Sequence, residues 1–238
     1  MSAIAERVAI VRQRIKNAAR EAGRDPDDIL LLAVTKAQSL THIKEGIQCG
    51  LNSFGENYAQ ESIPKVKALE DNSVDWHFIG PLQTNKTKMV AKSFNWIHSL
   101  DKVKTARRLS DQRPANLPPI NVCIQINIDN EETKGGIAPN RLGETVDQIL
   151  GLSHIKLRGL MAIPTPRTTE DNQRKVFSKL VKLQDKVNAR LDIRQKLDTL
   201  SMGMSSDLEA AIKEGATIVR VGTAIFGTRH FSDSSDRL

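Results

Sequence analysis

The chain has 238 residues, a length that suits one α/β barrel and allows a large buried core. Hydrophobic residues make up 39% and charged residues 26%, which excludes a disordered chain, and no apolar run approaches the roughly 18 residues of a membrane span. The formal net charge is +7, but basic residues alternate with acids along the helical stretches, which favours small anionic ligands over nucleic acid. We therefore expect one domain over residues 1–238, with a frayed polar tail at 229–238.

Helical and strand patterns alternate along the chain. Apolar residues recur every three or four positions from Ile4 through Val8, Val11 and Ile15 to Ala19, which predicts an N-terminal helix with one buried face. An uninterrupted apolar run at 29–34 is typical of a parallel strand covered on both sides. Seven further short strands are predicted at residues 51–56, 74–80, 94–100, 120–128, 155–163, 198–204 and 217–222. Helices are predicted between them at 41–49, 57–70, 85–92, 102–112, 141–150, 171–191 and 208–214.

Eight strands joined by seven helical connections predict a single (β/α)8 barrel of the TIM type with an extra N-terminal helix. Ser206 and Glu209 have the spacing of a capping box, which predicts that a helix starts directly after the seventh strand.

The two cysteines, Cys49 and Cys123, have neither CxxC nor Cys/His spacing, so the sequence indicates no disulfide framework and no metal site. This usage fits a reducing cytosol. The amphipathic N-terminal stretch imitates an organelle transit peptide, but Glu6 and Glu21 argue against that interpretation. We expect a cytoplasmic protein without membrane attachment.

Polar residues follow several of the predicted strands, at the barrel face where active sites lie. Lys36 follows the first strand, and Asn57 follows the second. His77 lies in the third strand, with Gln83 and Asn85 after it. These positions predict a site at the carboxyl ends of the strands.

The eighth strand leads into VGTAIFG, which places Gly222 and Thr223 at the start of a short helical turn. Glycine lets backbone N–H groups approach an anion, and the helix N-terminus and threonine hydroxyl add donors. The seventh strand brings Ser201 and Gly203 to the same end. Together they predict a phosphate site, although a glycine at a strand end is more often only a turn.

Lys36 faces the same predicted mouth, so a ligand with a phosphate and an aldehyde, such as pyridoxal phosphate, fits both ends of the site. An amine with a pKa of about 10.4 is protonated at neutral pH, so imine formation benefits from burial and a neighbouring positive charge. Arg220 is the residue that could supply that charge. The alternative for Lys36 is a strand-end lysine that points to solvent.

Several segments together resemble the pyridoxal phosphate homeostasis protein family, whose fold is similar to the N-terminal barrel domain of alanine racemase. The longest is WHFIGPLQTNKTKMV at residues 76–90; AVTK, FGENYAQE, KGG, GLMAIPT, LSMGMSSDLEAAI and VRVGTAIFG add to it. The resemblance implies that Lys36 forms a Schiff base with pyridoxal 5'-phosphate and that Arg220 faces the pyridine nitrogen. It implies phosphate contacts from Ser201, Gly222 and Thr223.

The same resemblance implies that Asn57 and His77 line the pocket, with Met202 and Met161 beside the cofactor. Each also has a structural interpretation. His77 could be a core histidine bonded to the backbone, Asn57 could cap a helix, and methionines are common core filler. For Tyr58, the only tyrosine, the structural interpretation is packing.

An arginine at the pyridine nitrogen keeps that nitrogen unprotonated and weakens the ring as an electron sink. Alanine racemase works with an arginine there, but a second domain brings a tyrosine base, and here Lys36 is the only obvious base. We therefore expect a pyridoxal 5'-phosphate binding protein with no catalytic residue that takes part in intracellular vitamin B6 and amino-acid homeostasis. The alternatives are a weak pyridoxal phosphate-dependent amino-acid racemase and a Schiff-base aldolase for sugar phosphates.

The expected partners are pyridoxal 5'-phosphate itself and the apoenzymes that accept it, with no nucleic acid and no membrane. The racemase dimerises through its second domain, for which this sequence gives no counterpart, so we expect a monomer.

Overall fold

The computed structural model describes residues 2–70, 73–131 and 133–227. Within these ranges eight strands form a closed barrel in chain order. Each strand pairs in parallel with the next, and the first pairs with the last. The predicted (β/α)8 barrel is confirmed. The strands are β1 Leu30–Val34, β2 Ser53–Glu56, β3 Asp75–Phe78, β4 Trp96–Leu100, β5 Ile120–Gln125, β6 Ile155–Met161, β7 Thr199–Ser201 and β8 Ile218–Val221.

Helices cover the outside of the barrel. One helix precedes β1, one lies in each connection between strands, and one short helix follows β8. They are α1 Ala3–Glu21, α2 Leu40–Gln48, α3 Ala59–Ala68, α4 Thr87–Ser93, α5 Val103–Gln112, α6 Leu142–Leu150, α7 Glu170–Asn188, α8 Leu208–Lys213 and α9 Thr223–Phe226.

The N-terminal helix α1 closes the ring of helices. Its predicted apolar stripe is buried, from Ile4 to Ala19. The Ser2 side chain caps the helix by accepting a hydrogen bond from the N–H of Ala5 at 3.3 Å. Because α1 contacts α2, α8 and α9, it covers the barrel where β8 meets β1.

The strands are buried on both faces, as their apolar runs predicted. All four residues of β2 and of β8 are buried. The barrel is less regular at β5, where the register shifts against both β4 and β6. Five strands also end earlier than predicted, and the difference is largest for β5, which ends at Gln125, and β7, which ends at Ser201. The residues after them form the loops of the barrel mouth.

The capping box predicted at the start of α8 is wrong, although a helix does follow the seventh strand. The N-cap is Asp207, one residue later than Ser206. The Asp207 carboxylate accepts the N–H of Met204 at 2.6 Å, which forms a turn ahead of the helix. Glu209 does not reach back to a cap, because it pairs with Arg14 of α1 at 2.6 Å.

Three findings bear on the remaining sequence predictions. Among the helices of the described chain, none combines the length and apolar character that a transmembrane segment needs. Cys49 and Cys123 are both free thiols, and burial raises the pKa of Cys123 to about 12. The predicted frayed tail at 229–238 lies outside the described residues.

Candidate functional site

Three of the predicted site segments lie on adjacent strand ends. In the barrel, β1 lies between β2 and β8. Lys36 is two residues beyond β1, Asn57 directly follows β2, and Thr223 is two residues beyond β8. The carboxyl ends of parallel strands meet at one edge, so these residues share one side of the barrel mouth.

A chain of hydrogen-bonded side chains crosses the inside of the barrel. The Arg220 Nη1 of β8 donates to the Ser201 hydroxyl of β7 at 2.8 Å. The Ser201 Oγ lies 2.7 Å from His98 Nδ1 of β4, and His98 Nε2 lies 2.9 Å from His77 Nδ1 of β3. Because β4 and β7 are not neighbours, the bond between His98 and Ser201 has to pass through the barrel interior. All four residues are buried.

The chemistry of these groups sets the direction of the hydrogen bonds. A guanidinium can only donate, so the Ser201 oxygen accepts from Arg220. The Ser201 hydroxyl then donates to His98 Nδ1, which places the His98 proton on Nε2. His98 Nε2 donates to His77 Nδ1, so His77 carries its proton on Nε2. Among the described residues this buried Nε2 atom has no hydrogen-bond partner.

Burial keeps both imidazoles neutral. It lowers the pKa of His77 to about 3. It also holds the pKa of His98 well below the usual value, with further lowering by His77 and Arg220. Burial lowers the pKa of Arg220 to about 10, so the guanidinium stays charged at neutral pH. Among the four hydrogen-bonded side chains, the positive charge therefore lies on Arg220.

Arg220 is held by uncharged acceptors. Its Nη1 also donates to the Ser201 carbonyl at 2.6 Å, and its Nη2 donates to the Ala162 carbonyl at 2.9 Å. Only 4% of the residue surface is exposed. These bonds fix the guanidinium plane between the ends of β6, β7 and β8. Arg220 is therefore buried and firmly held, and its role toward a cofactor stays a prediction.

Asn57 carries an unusual buried atom. Its Oδ1 has no hydrogen-bond partner among the described residues. The alternative that Asn57 caps the next helix is wrong, because α3 starts at Ala59 with Tyr58 at the N-cap. Gly80 packs closely on the Asn57 backbone: a Cβ at Gly80 would lie 2.1 Å from the Asn57 carbonyl oxygen. Buried polar atoms without partners are rare in proteins, which makes Asn57 Oδ1 a candidate ligand contact.

The predicted helical turn after β8 is confirmed as α9. Gly222 is its N-cap residue, and the N–H groups of Ile225 and Phe226 both donate to the Gly222 carbonyl at 2.9 Å. A Cβ at Gly222 would lie 3.2 Å from the Val34 carbonyl oxygen at the end of β1, so glycine permits the close approach of β8 to β1. The first N–H groups of a helix have no partner inside it.

Several other residues occupy positions that the sequence did not settle. Gln83 and Asn85 are exposed and line an open groove of about 750 Å³. Tyr58 is 61% exposed, so its packing interpretation is wrong. Met161 and Met202 are fully buried, as the core interpretation of these methionines expects.

Asn57 also lines a smaller cavity of about 330 Å³ together with Tyr58, Phe78 and Pro81. This cavity lies on the β2–β3 side of the mouth, away from β8. Arg220, Lys36 and Gly222 belong instead to β8, to the end of the neighbouring β1 and to the turn after β8.

Sequence reasoning missed His98. It lies inside the predicted strand 94–100, where it was not singled out. A histidine in the middle of a buried barrel strand is itself a signal, because a buried imidazole needs partners. Its partners come from Ser201 and His77, 103 and 21 residues away along the chain, so spacing could not reveal them.

Known proteins match this chain over nearly its whole length. The sequence profile of the family described as "Alanine racemase, N-terminal domain" matches residues 3–230. A "Pyridoxal phosphate homeostasis protein" from Pseudomonas aeruginosa is 50% identical over 231 residues, which cover 97% of this chain and 98% of that protein. The chain belongs to the pyridoxal phosphate homeostasis protein family. A second member, from Escherichia coli K12, is 46% identical over 235 residues, which cover 98% of this chain and 99% of that protein.

Solved structures agree with membership of the pyridoxal phosphate homeostasis protein family. PipY of Synechococcus elongatus PCC7942, solved with PLP bound, is 33% identical with a TM-score of 0.81. The alignment covers 94% of this chain and 100% of that chain. The family and the fold implied by the sequence motifs are thereby confirmed. The roles of the individual site residues stay predictions.

Proposed function

We propose that this member of the pyridoxal phosphate homeostasis protein family binds pyridoxal 5'-phosphate and takes part in intracellular vitamin B6 and amino-acid homeostasis without robust catalysis. The names of its relatives and the PLP-bound PipY structure support the ligand. The observation that carries the proposal is the buried Arg220 guanidinium beside strand ends that hold Lys36 and the Gly222 turn.

The residues present fit this cofactor. Asn57 Oδ1 is a buried acceptor for which the described residues offer no donor. Gly222 leaves room where a Cβ would crowd Val34, and the free N–H groups of the α9 start suit a phosphate. When bound, pyridoxal phosphate supplies an aldehyde that condenses with a primary amine and releases water. Lys36 is the proposed amine, and Thr223 the proposed hydroxyl donor to the phosphate.

The role of Ser201 needs a more specific proposal. The sequence predicts a phosphate contact, but the Ser201 hydroxyl is fully buried and already bonded to Arg220 and His98. A hydroxyl has one hydrogen to donate, and here His98 Nδ1 receives it. We therefore propose that Ser201 holds Arg220 in place, while the phosphate is bound by Gly222 and Thr223. His77 supports Arg220 indirectly, through its hydrogen bond with His98. Met202 contributes packing.

The geometry favours binding over catalysis. Arg220 has donors only, so it would leave a pyridine nitrogen in front of it unprotonated, which weakens carbanion stabilisation. The imidazoles behind Arg220 are buried, and their lowered pKa values make them weak bases near pH 7, so they are poorly suited to proton transfer with a substrate. A racemase needs acid or base groups on both faces of the substrate carbon, and Lys36 can serve only one.

An aldolase is less well supported. Such enzymes typically hold the reactive lysine in the middle of a barrel strand, whereas Lys36 lies beyond the last residue of β1. The position of Lys36 at the mouth suits an exchangeable ligand. Apoenzymes that require pyridoxal phosphate are the proposed recipients, and transfer to such an apoenzyme can be followed by the recovery of its activity.

A spectroscopic titration tests the proposed function. Wild-type protein titrated with pyridoxal phosphate should become yellow and saturate at one equivalent. Lys36→Ala should lose the visible absorbance, whereas Lys67→Ala, which removes an exposed lysine of α3, should keep it. Loaded protein incubated with L- or D-alanine in deuterated water should show no rapid loss of the α-proton. A wild-type spectrum that stays equal to that of free pyridoxal phosphate, or rapid exchange that depends on Lys36, would refute the proposal.

A further inference from the structure

The backbone around Lys36 has an unusual conformation. Residues 35–38 form a turn in which the N–H of Gln38 donates to the Thr35 carbonyl at 3.0 Å. Ala37 has a positive φ of 58°. A residue with a side chain rarely adopts that conformation unless its surroundings hold it there. Lys36 lies between Thr35, whose carbonyl accepts the turn hydrogen bond, and Ala37, which has the positive φ.

A buried ammonium group contacts the residue before Lys36. Lys65 of α3 donates to the Thr35 carbonyl at 3.0 Å. The same Nζ atom lies 2.9 Å from Glu56 Oε1 and 2.6 Å from Glu61 Oε1. The Lys65 side chain is only 10% exposed, and that of Glu56 is fully buried. Three neighbouring elements therefore meet at one cation.

The residue after Lys36 is tied to the same network. The Ala37 N–H donates to Glu61 Oε1 at 2.7 Å. That oxygen also accepts from Lys65, so a single carboxylate links α3 to the positive-φ residue. The peptide groups on both sides of Lys36 are thus bonded, directly or through Glu61, to Lys65.

Stability alone does not account for this network. Removing two charges from water is expensive, and a buried ion pair is often no more stabilising than an apolar pair of similar size. Burial raises the pKa of Glu56, opposed by Lys65 and by the Thr35 hydroxyl, which donates to Glu56 at 2.7 Å. Glu56 Oε2 remains buried without a hydrogen-bond partner in the described chain. Burying these charges costs more free energy than an apolar pair of similar size would. The feature that the network determines is the backbone conformation around Lys36.

We propose that Lys65 and Glu61 are positioning residues, which fix the turn at 35–38 so that the Lys36 amine points at the aldehyde of the ligand. This inference rests on the proposed function, because it takes Lys36 as the amine. Neither residue needs to touch the ligand. Their effect should therefore appear only with ligands that react with Lys36.

Two phosphorylated ligands separate positioning from general damage. Pyridoxal 5'-phosphate can react with an amine, whereas pyridoxine 5'-phosphate has a hydroxymethyl group instead of the aldehyde and cannot. Glu61→Ala should weaken pyridoxal phosphate binding by about tenfold, the equivalent of one hydrogen bond, and leave pyridoxine phosphate binding unchanged. Glu61→Gln keeps an oxygen for the Ala37 N–H and should recover most of the loss.

A second readout needs no ligand. Hydrogen exchange of the Ala37 amide should accelerate at least about tenfold in Glu61→Ala and stay slow in Glu61→Gln, because only alanine removes the acceptor. Lys65→Met should show the same ligand selectivity as Glu61→Ala, with Lys67→Met on the same helix as the control. If Lys65→Met does not fold, Glu61→Ala decides the question, since the Glu61 side chain is 33% exposed.

The outcomes separate the two proposals. Unchanged Ala37 exchange in Glu61→Ala, or equal weakening of both ligands, would overturn the positioning role. If wild-type protein binds neither ligand, the proposed function fails. The Ala37 exchange result would then still decide whether the network holds the turn.

Discussion

Replacing Ser201 by alanine should interrupt the row of hydrogen-bonded side chains that runs from Arg220 to His77 across the barrel interior. The change leaves His98 Nδ1 without a donor and removes one of the three acceptors of Arg220. A buried acceptor without a partner costs about 1–3 kcal/mol, and a hydrogen bond to a charged group contributes about 1.5–3 kcal/mol. Arg220 keeps its two carbonyl acceptors, so we expect the free energy of unfolding to fall by about 2–4 kcal/mol.

Urea unfolding of a double-mutant cycle measures this effect. The cycle consists of wild type, Ser201→Ala, His98→Leu and the double variant. His98→Leu removes the atom that Ser201→Ala would leave unpaired, so the double variant should lose about 1–2 kcal/mol less than the sum of the single variants. Ser53→Ala is the control, because Ser53 is a buried strand serine with one long bond of 3.3 Å to Asn52. If the effects of Ser201→Ala and His98→Leu add to within about 0.5 kcal/mol, the two side chains are not coupled and the proposed hydrogen bond does not contribute to stability.

The same variant tests the support of Arg220. If Ser201 orients the guanidinium, Ser201→Ala should weaken pyridoxal phosphate binding by about tenfold. The variant must first be shown to be folded in the buffer used for the titration, without urea. Unchanged affinity together with lost stability would confine Ser201 to a structural role.

The remaining predictions concern pH, Asn57 and the cysteines. Burial lowers the folded-state pKa of His77 to about 3 and lowers that of His98 as well. The unfolded protein therefore binds protons below about pH 6.5 that the folded protein does not, so the free energy of unfolding decreases as the pH decreases. From pH 6.5 to 5, His77 alone should lower the free energy of unfolding by about 1.6 kcal/mol in urea unfolding, with a further loss from His98, and equal stability at both pH values would contradict this. Asn57→Ala should leave the ligand-free protein as stable or more stable, because Oδ1 has no hydrogen-bond partner in the described part of the chain, yet it should weaken pyridoxal phosphate binding. Loss of stability without loss of binding would contradict the site. Cys123, fully buried with a raised pKa, should react with a thiol reagent only on unfolding, whereas partly exposed Cys49 should react in the native protein, as mass spectrometry can show.

The fold could be predicted because its signals are local. The continuous apolar runs of the strands and the stripe from Ile4 to Ala19 on α1 each report burial within a few residues. The alternation of the two patterns then leaves few topologies, and the parallel barrel is the one that covers every strand on both faces. Cap positions were less predictable, as Asp207 shows, because the choice between two neighbouring cap residues depends on turn geometry.

The site could be predicted only in part. Lys36, Asn57 and the Gly222 turn follow apolar runs directly, so their place at the mouth follows from the strand ends. The burial of Lys65 could not be predicted, since a lysine four residues after Glu61 on a helix usually marks a solvated ion pair. Its contact with the Thr35 carbonyl joins residues 30 positions apart and depends on how α3 packs on the barrel.

Mapping the lysine that reacts with pyridoxal phosphate tests whether Lys36 forms the proposed Schiff base. Protein loaded with one equivalent is reduced with borohydride, digested and analysed by mass spectrometry. We expect the modified peptide to contain Lys36, and we expect Lys36→Ala to lose this label while remaining folded. Labelling chiefly at another lysine, such as Lys134, which donates to Glu131 at 2.8 Å, would contradict this expectation.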